Sequence, residues 1–137
     1  MRAVLIALLL TTPGLVGPAG AAVPAKHPSY GVWHNPANSV HVAAKPCGDK
    51  MCGVVVWANA KAKADAAKGG NPKRVGMDLF QNFTQIDDTH WKGKVYVPDI
   101  NKTFSGTVTV VNAHTLTGKG CLLGGLGCKS QTWTRVK

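Results

Sequence analysis

The acidic side chains of this 137-residue chain offer little for acid–base catalysis. All six acidic residues are aspartates, and the chain has no glutamate. A two-carboxylate hydrolase would need a pair of aspartates, and the neighbours Asp87 and Asp88 fall in a predicted turn. The chain also lacks a Gly-x-Ser-x-Gly elbow, a His-Glu-x-x-His motif and a phosphate-binding glycine loop. These absences argue against the common hydrolase and nucleotide-binding classes.

Histidine and cysteine are the residues through which the chain could bind a metal ion. The five histidines are dispersed over turns and strand ends, which favours exposed histidines over a metal site. Zinc sites usually contain close Cys-x-x-Cys pairs, and the chain has none. We therefore expect no metal and no cofactor, the alternative being a site assembled by folding from His27, His34, His41, His90 and His114.

The four cysteines form two pairs along the sequence. Cys47 and Cys52 flank one short turn-like segment, and Cys121 and Cys128 flank another. In an oxidising compartment an even number of cysteines favours disulfides. The spacing predicts two local bridges, Cys47–Cys52 and Cys121–Cys128, each across one hairpin. This pairing would leave no cysteine free to act as a nucleophile.

Tryptophan and arginine recur near the two ends of the predicted domain. The segment Gly31-x-Trp33 lies near its start, and Trp133-x-Arg135 lies near its end. If the first and last strands paired, the Arg135 guanidinium would stack on an indole ring, a contact worth roughly 1–2 kcal/mol. This arrangement is similar to that of lipocalins, and it implies that Trp33, Trp133 and Arg135 are structural residues that close one end of a barrel.

The elements that must position these residues are predicted to be short strands. The stretch 60–68 is helix-prone but has no apolar stripe, so we expect a long loop with at most one helical turn. The segment 76–83 fits either a short helix or an irregular strand. Alternating or β-branched segments predict strands at residues 30–33, 39–43, 52–58, 90–97, 103–110, 115–120 and 130–136.

Such a chain must protect its strand edges by closing into a barrel or by forming a sandwich. Glycines within strands allow the sharp bends that a small barrel needs. We therefore predict an all-β fold, an up-and-down antiparallel β-barrel, with the sandwich as the alternative. The similarity to lipocalins noted above implies a small lipocalin-like up-and-down antiparallel β-barrel. The glycines on which this prediction depends are Gly93, Gly106, Gly118 and Gly120.

The interior of this barrel is the predicted ligand-binding site. A cavity lined by apolar side chains would suit an apolar small molecule or an acyl chain. A short barrel can equally be filled by its own side chains, so both alternatives stay open. The expected lining residues are Val40, Val42, Val54, Val56, Phe80, Tyr96, Phe104 and Val108.

The N-terminus predicts export. Arg2 is followed by the apolar run 3–10, which is too short to span a bilayer and is typical of a secretory signal peptide. Small residues fit cleavage after Ala21, with Ala22 and Ala25 as alternatives. The chain then divides into a signal peptide over residues 1–21, a linker over 22–28 and one soluble barrel domain over 29–137.

The chain is strongly basic, with a formal net charge of +10. Basic proteins attract acidic partners such as nucleic acid or anionic lipid surfaces. For an exported protein the possible acidic partner is an anionic lipid or envelope polymer, and we expect no nucleic acid. Because the lysines are scattered along the chain, a solvated basic surface without a partner is the favoured interpretation, and such a partner is the alternative.

Several segments together resemble one bacterial family. They are Gly31-Val32-Trp33, Cys52-Gly53, Asp65 with Asn71-Pro72, Trp91-Lys92-Gly93, Tyr96-Val97-Pro98-Asp99 and the closing run Ser130-Gln131-Thr132-Trp133-Thr134-Arg135. On these segments residues 29–136 resemble the uncharacterised family called domain of unknown function 2147. The resemblance implies a lipocalin-like barrel in the Gram-negative envelope or secreted from it, and it supplies no activity. Ile100-Asn101 stands where the family often has a glycine.

Three functions follow as hypotheses. The first is a non-enzymatic, lipocalin-like binder of an apolar or amphipathic small molecule, located in the periplasm or outside the cell. The second is a packed structural or interaction module whose basic surface contacts an anionic envelope component. The third is an enzyme, which we do not expect; it would need a polar cluster at the barrel mouth, for which Asp65, Asn71 and Lys92 are the candidates.

Overall fold

The structure is a computed structural model, and it describes residues 26–121 and 127–137 together with Gly14. The predicted signal peptide and its cleavage sites therefore lie outside the described residues, apart from Gly14. In the described part of the chain, no helix is long and apolar enough to cross a membrane.

The chain folds into a closed eight-stranded antiparallel barrel in which each strand pairs with the next along the sequence. The first and last strands pair through Trp33 and Arg135, which closes the ring. The prediction of an up-and-down barrel is confirmed, and the sandwich alternative is wrong. The elements are β1 (Gly31–His34), β2 (Val40–Cys47), β3 (Lys50–Ala58), α1 (Ala60–Lys68), β4 (Asp78–Gln85), β5 (His90–Val97), β6 (Lys102–Asn112), β7 (Thr115–Cys121) and β8 (Cys128–Arg135).

The helix α1 corrects the prediction of a long loop between the third and fourth strands. Asn59 caps its first turn, because the side-chain oxygen accepts a hydrogen bond from the Ala62 backbone N–H at 2.8 Å. Ala62 and Ala66 are buried and lie four residues apart on one face. An apolar stripe made of alanines is enough to dock a helix, although the sequence pattern does not reveal it.

The strand β4 resolves the ambiguous segment in favour of an irregular strand. Its pairing with β5 shifts register between Gln81 and Thr84. Within that shift Asn82 takes a positive φ of 53°, which asparagine tolerates better than most residues. A second asparagine, Asn101, takes a φ of 51° in the turn after β5.

One half of the barrel interior is filled by large side chains. Trp33, Trp91 and Phe83 have no solvent exposure, and Met51 has 1%. Gly106 makes room for this packing, because a Cβ atom there would lie 2.4 Å from Val95 Cγ2 and 3.1 Å from Phe83 Cζ. Glycine in the middle of β6 is therefore required by the close approach of side chains from neighbouring strands.

We call this half the closed end, because the segment that precedes β1 packs against it. The Trp33 indole N–H donates to the Ser29 carbonyl at 2.9 Å, and the Ser29 hydroxyl faces the Met51 sulfur at 3.4 Å. His27 Nε2 lies 3.0 Å from the Asp88 carbonyl oxygen in the β4–β5 turn. These contacts hold the N-terminal segment across the strand ends.

The opposite end, which we call the open end, is bounded by the β1–β2 turn, by α1, by the β5–β6 turn and by the end of β7 and the start of β8. The two disulfides lie at opposite ends of the barrel. Cys47 bonds to Cys52 beside the β2–β3 turn at the closed end, and Cys121 bonds to Cys128 at the open end. The predicted pairing of the cysteines is confirmed.

Candidate functional site

Two adjoining cavities occupy the barrel at its open end. One, of about 550 Å³, is bordered by β5, β6, β7 and β8, and we call it the apolar chamber. The other, of about 470 Å³, lies beneath α1 and the β1–β2 turn, and we call it the polar chamber. Both volumes fall within the roughly 300–1,000 Å³ that is usual for small-molecule sites. The interior is therefore packed at the closed end and hollow at the open end.

The apolar chamber is built from the inner faces of four consecutive strands. Phe104 and Val108 of β6 contribute large side chains, whereas Gly118 and Gly120 of β7 leave space where other residues would fill it. On β8, Gln131 and Lys129 alternate with outward residues and supply polar groups to the same wall. The chamber therefore offers apolar surface with a few polar groups, and two lysines, Lys119 and Lys129, are among the residues that border it.

The two chambers share a partition. The rings of Phe80 and Trp133 meet edge to face with centroids 5.6 Å apart, and both residues line both chambers. Val95, Val97 and Gln131 also border both spaces. A ligand that is apolar at one end and polar at the other could therefore contact both chambers along this common wall.

Arg74 is the most buried cation of the polar chamber. It follows α1 in the chain, and only 9% of its surface is exposed. Its Nη1 atom donates to the Ala62 carbonyl at 3.0 Å and forms an ion pair with Asp99 of the β5–β6 turn. Its Nε atom is buried without a hydrogen-bond partner in the described chain. Nη1 of the guanidinium thus bonds to other parts of the fold, whereas Nε has no partner in the described chain.

A small polar network fixes the loop that carries Arg74. The Asn71 side-chain amide donates to the Tyr96 hydroxyl at 2.8 Å and to the Pro98 carbonyl at 3.0 Å. The Tyr96 hydroxyl in turn donates to the Asn101 side-chain oxygen at 2.6 Å. This network anchors the α1–β4 loop to the β5–β6 turn, so the roof of the polar chamber is held from two sides.

Five of the eight residues predicted to line the interior border these chambers. Phe104 and Val108 line the apolar chamber, Val40 lines the polar chamber, and Phe80 lines both. Tyr96 borders the polar chamber, although strand alternation places it on the opposite face of β5 from Val95 and Val97. Whether any of these residues binds a ligand stays a prediction.

The other three predicted lining residues lie elsewhere. Val42 is fully buried in the packed core and borders neither chamber. The prediction is wrong for Val54 and Val56, because the residue between them faces the barrel interior. Val55 is 1% exposed, whereas Val56 is 47% exposed. A continuous β-branched run gives no alternation from which to read the inner face, which explains the error.

The predicted closure of the barrel end is present in the structure. The guanidinium carbon of Arg135 lies 4.2 Å from the centroid of the Trp33 ring. Arg135 also donates to the carbonyls of Ala113, Tyr30 and Pro28 at 2.6, 2.8 and 2.6 Å. Gly31 has a φ of 127°, and a Cβ there would lie 2.3 Å from the guanidinium. Trp133 takes a different place, because it forms part of the partition between the chambers.

The polar residues considered for catalysis are not brought together. Asp65 pairs with Lys61 on α1 at 2.7 Å, and Asn71 is bonded to Tyr96. Lys92 is exposed on the outer face of β5 and borders neither chamber. In the part of the chain that the structure describes, no group of three or more His, Cys, Asp or Glu residues could hold a metal ion.

Arg74 and Gln131 are site residues that the sequence reasoning missed. Gln131 could have been found, because it lies two residues from Trp133 and a strand puts both on one face. Arg74 belongs to a loop without periodicity, and its burial depends on α1 and the β5–β6 turn. No pattern in the sequence indicates that contact.

A closed eight-stranded up-and-down barrel, with one end plugged and the other end hollow, defines a lipocalin-like protein. Within this class, the chain belongs to the bacterial family described as "Uncharacterized protein conserved in bacteria (DUF2147)", whose sequence model matches residues 31–135. The structure is similar to that of protein HP1028 from Helicobacter pylori, which is described as belonging to the lipocalin family. The TM-score is 0.59 at 17% identity, over 79% of this chain and 82% of that chain. No curated protein matches the chain.

Proposed function

We propose that this protein is a non-enzymatic binder of an apolar or amphipathic small molecule, held in the two chambers at the open end. The observation that carries the proposal is the division of the interior. The closed end is packed by Trp33, Trp91 and Phe83, whereas the open end contains two adjoining cavities that share lining residues. Eight-stranded barrels of this size hold one small ligand when their interior is not filled by side chains.

We further propose that the protein acts in the periplasm or outside the cell. The predicted signal peptide supports this location. The two disulfides support it as well, because such bonds form and persist mainly in oxidising compartments.

The proposal is tested by filling the apolar chamber. Gly118 lies on its wall, and an added Cβ would be 3.8 Å from Trp133 Nε1, an ordinary van der Waals contact, so a valine there would fit and would fill part of the chamber. We expect Gly118→Val to weaken binding of a fluorescent apolar probe by about tenfold. Thr117→Val is the matched control, since the adjacent residue of β7 faces outward and pairs with Thr109 and Thr132.

The result that would contradict the proposal is equally direct. A wild-type protein that takes up neither the apolar probe nor a fatty acid, and that retains no small molecule in native mass spectrometry after purification from its own host, is not a binder of this class. Equal loss of binding in Gly118→Val and Thr117→Val would place the probe outside the chamber.

A second candidate function, contact with an anionic lipid surface, is supported by the outer face of strands β3 to β7. Lys50 donates to the Thr84 hydroxyl at 3.0 Å, Thr84 pairs with Lys92, and Thr107 pairs with both Lys92 and Lys119. Lysine and threonine therefore alternate across five strands. The two exposed lysines Lys92 and Lys119 stand about 10 Å apart at two strand spacings, and Lys119 also borders the apolar chamber.

Vesicle binding tests this second candidate. We expect the protein to bind vesicles of phosphatidylglycerol, to release them as salt is added, and to lose affinity in Lys92→Gln/Lys119→Gln. Lys63→Gln/Lys68→Gln removes the same charge from α1 and serves as the control. If both double variants weaken binding equally, only the net charge matters and the lysine–threonine row is not a docking surface.

A further inference from the structure

We propose that the polar chamber binds the anionic head group of the ligand through Arg74, while the ligand's tail lies in the apolar chamber. This inference rests on the proposed function and adds to it the chemical class of the ligand and its orientation. The head group is a carboxylate or a phosphate ester, because the free edge of a guanidinium matches the oxygens of either.

The hydrogen bonds of Arg74 leave one edge of its guanidinium without a partner in the described chain. Nη1 bonds to the Ala62 carbonyl and to Asp99. The structure shows no hydrogen bond within the described chain for Nε or Nη2. The Nε–Nη2 edge presents two parallel N–H groups, which is the fork that binds an oxyanion through two oxygens.

The burial of Arg74 makes this free edge unusual. The side chain is 91% buried, the complement of its 9% exposure, and yet Nε has no acceptor. A buried N–H without a partner lowers stability, and such groups are rare in native proteins. Trp91 has the only other such atom in the described chain, but it lies in the packed closed end and borders neither chamber. Arg74 borders the polar chamber, so a ligand could satisfy it there.

Charges around Arg74 determine how strongly an anion would bind. Lys61 and Asp65 neutralise each other on α1, which leaves Asp99 as the carboxylate in direct contact with Arg74. Asp99 orients the guanidinium, and its negative charge also opposes an incoming anion. Removal of that charge should therefore strengthen binding, opposite to the effect of removing Arg74. Because Arg74 Nε is buried, an anion can bind to both Nε and Nη2 only if neighbouring side chains move aside.

The shared partition sets the direction of the ligand. Phe80 and Trp133 border both chambers, so a chain that starts at Arg74 can pass along them toward Phe104 and Val108. Lys119 and Lys129 both border the apolar chamber. Lys129 is the rival anchor, because strand alternation puts its side chain on the inner face of β8 with Gln131 and Trp133. If it held the head group, the tail would lie in the opposite direction, and the test must separate the two.

The experiment compares three ligands that share one tail. Isothermal titration is carried out with decanoate, decyl phosphate and decanol on the full exported chain and on Arg74→Gln, Asp99→Asn and Lys129→Gln. Decanol has the tail without the charge, so it reports whether the chambers and the fold are intact in each variant. The two anions distinguish a carboxylate ligand from a phosphate ester.

We expect Arg74→Gln to weaken binding of at least one anion by about tenfold, as for loss of a charge-assisted hydrogen bond, and to leave decanol binding unchanged. We expect Asp99→Asn to strengthen binding of the same anion and Lys129→Gln to change it little. If Arg74→Gln fails to fold, the direction of the Asp99→Asn effect on anion binding decides, because this variant keeps the guanidinium.

Other outcomes overturn the inference in distinguishable ways. If decanol and the anions bind equally to the wild type and to Arg74→Gln, the head-group site is wrong and the proposed function stands. If Lys129→Gln selectively weakens the anions, the orientation is reversed and the inference fails. If none of the three ligands binds to the wild type, both the proposed function and this inference fail.

Discussion

Arg135 joins the two ends of the domain through one side chain. Its donors reach carbonyls of Pro28 and Tyr30 before β1 and of Ala113 in the β6–β7 turn, while its plane covers Trp33. A lysine could supply the charge but not this fork of donors. The closed end therefore depends on the shape of the guanidinium as much as on its charge.

We predict that Arg135→Lys lowers the free energy of unfolding by about 2 kcal/mol, because carbonyl partners and part of the cation–π contact are lost. Urea denaturation followed by tryptophan fluorescence measures this change. Lys137→Gln is the control, since the structure uses only the backbone of that residue in its described contacts. An equal stability of Arg135→Lys and the wild type would show that charge alone closes the barrel.

Asp87 organises the turn between β4 and β5. Its Oδ1 atom accepts from the backbone N–H groups of Thr89 and His90, each at 2.9 Å, and lies 2.8 Å from His90 Nδ1. The Thr89 backbone N–H and the His90 side chain lower the pKa of Asp87 from 3.8 to about 2. Hydrogen bonds of this kind favour the ionised carboxylate in the folded state.

This lowered pKa predicts a pH dependence of stability. The contribution of Asp87 is complete above the unfolded pKa of 3.8, and it is lost as the pH falls through about 2. We expect the melting temperature of Asp87→Asn to fall less than that of the wild type as the pH is lowered over this range. Asp88→Asn, whose side chain makes no hydrogen bond in the described chain, should melt in parallel with the wild type. Parallel curves for Asp87→Asn would contradict the prediction.

At the scale of elements, β6 is shaped by a single glycine. Gly106 lies between the side chains of Val95 and Phe83, and a methyl group there would overlap Val95 Cγ2. We predict that Gly106→Ala costs about 2 kcal/mol of stability and that adding Val95→Ala recovers part of it. Gly120→Ala is the matched control, because its Cβ would meet ordinary contacts at 3.9 Å. Additive effects of the two substitutions in a denaturation cycle would show that the overlap does not occur.

The strands and the helix also show how much of the fold can be predicted from the sequence. The strand β6 alternates cleanly, so its inner residues Phe104 and Val108 could be predicted. The strand β3 contains three consecutive valines at residues 54–56, and its inner face is set by pairing with β2 and β4, with shifts of register that no local pattern reports. The helix α1 depends on two small buried alanines and a cap, whose contribution appears only when the barrel is present.

At the scale of the whole molecule, the candidate site lies where sequence reasoning was weakest. The closed end joins residues near both ends of the domain, and the similarity of the Trp33 and Arg135 arrangement to that of lipocalins predicts it. The open end is assembled from a helix, a loop and two turns, so Arg74 becomes a site residue only through contacts distant in sequence. Patterns along strands predict the barrel wall, but they do not predict what covers its mouth.

The division of the barrel into a packed end and a hollow end is the central claim, and the four tryptophans can test it directly. Trp133 borders both chambers, Trp33 and Trp91 lie fully buried at the closed end, and Trp57 is 42% exposed outside. Each indole N–H gives its own signal in an NMR spectrum, so one titration with decanol reports on all four locations.

We predict that decanol shifts the indole signal of Trp133 and leaves those of Trp33, Trp91 and Trp57 in place. A saturating titration in which Trp133 does not move, or in which only Trp57 moves, would contradict the claim that the open end of the barrel is a binding site.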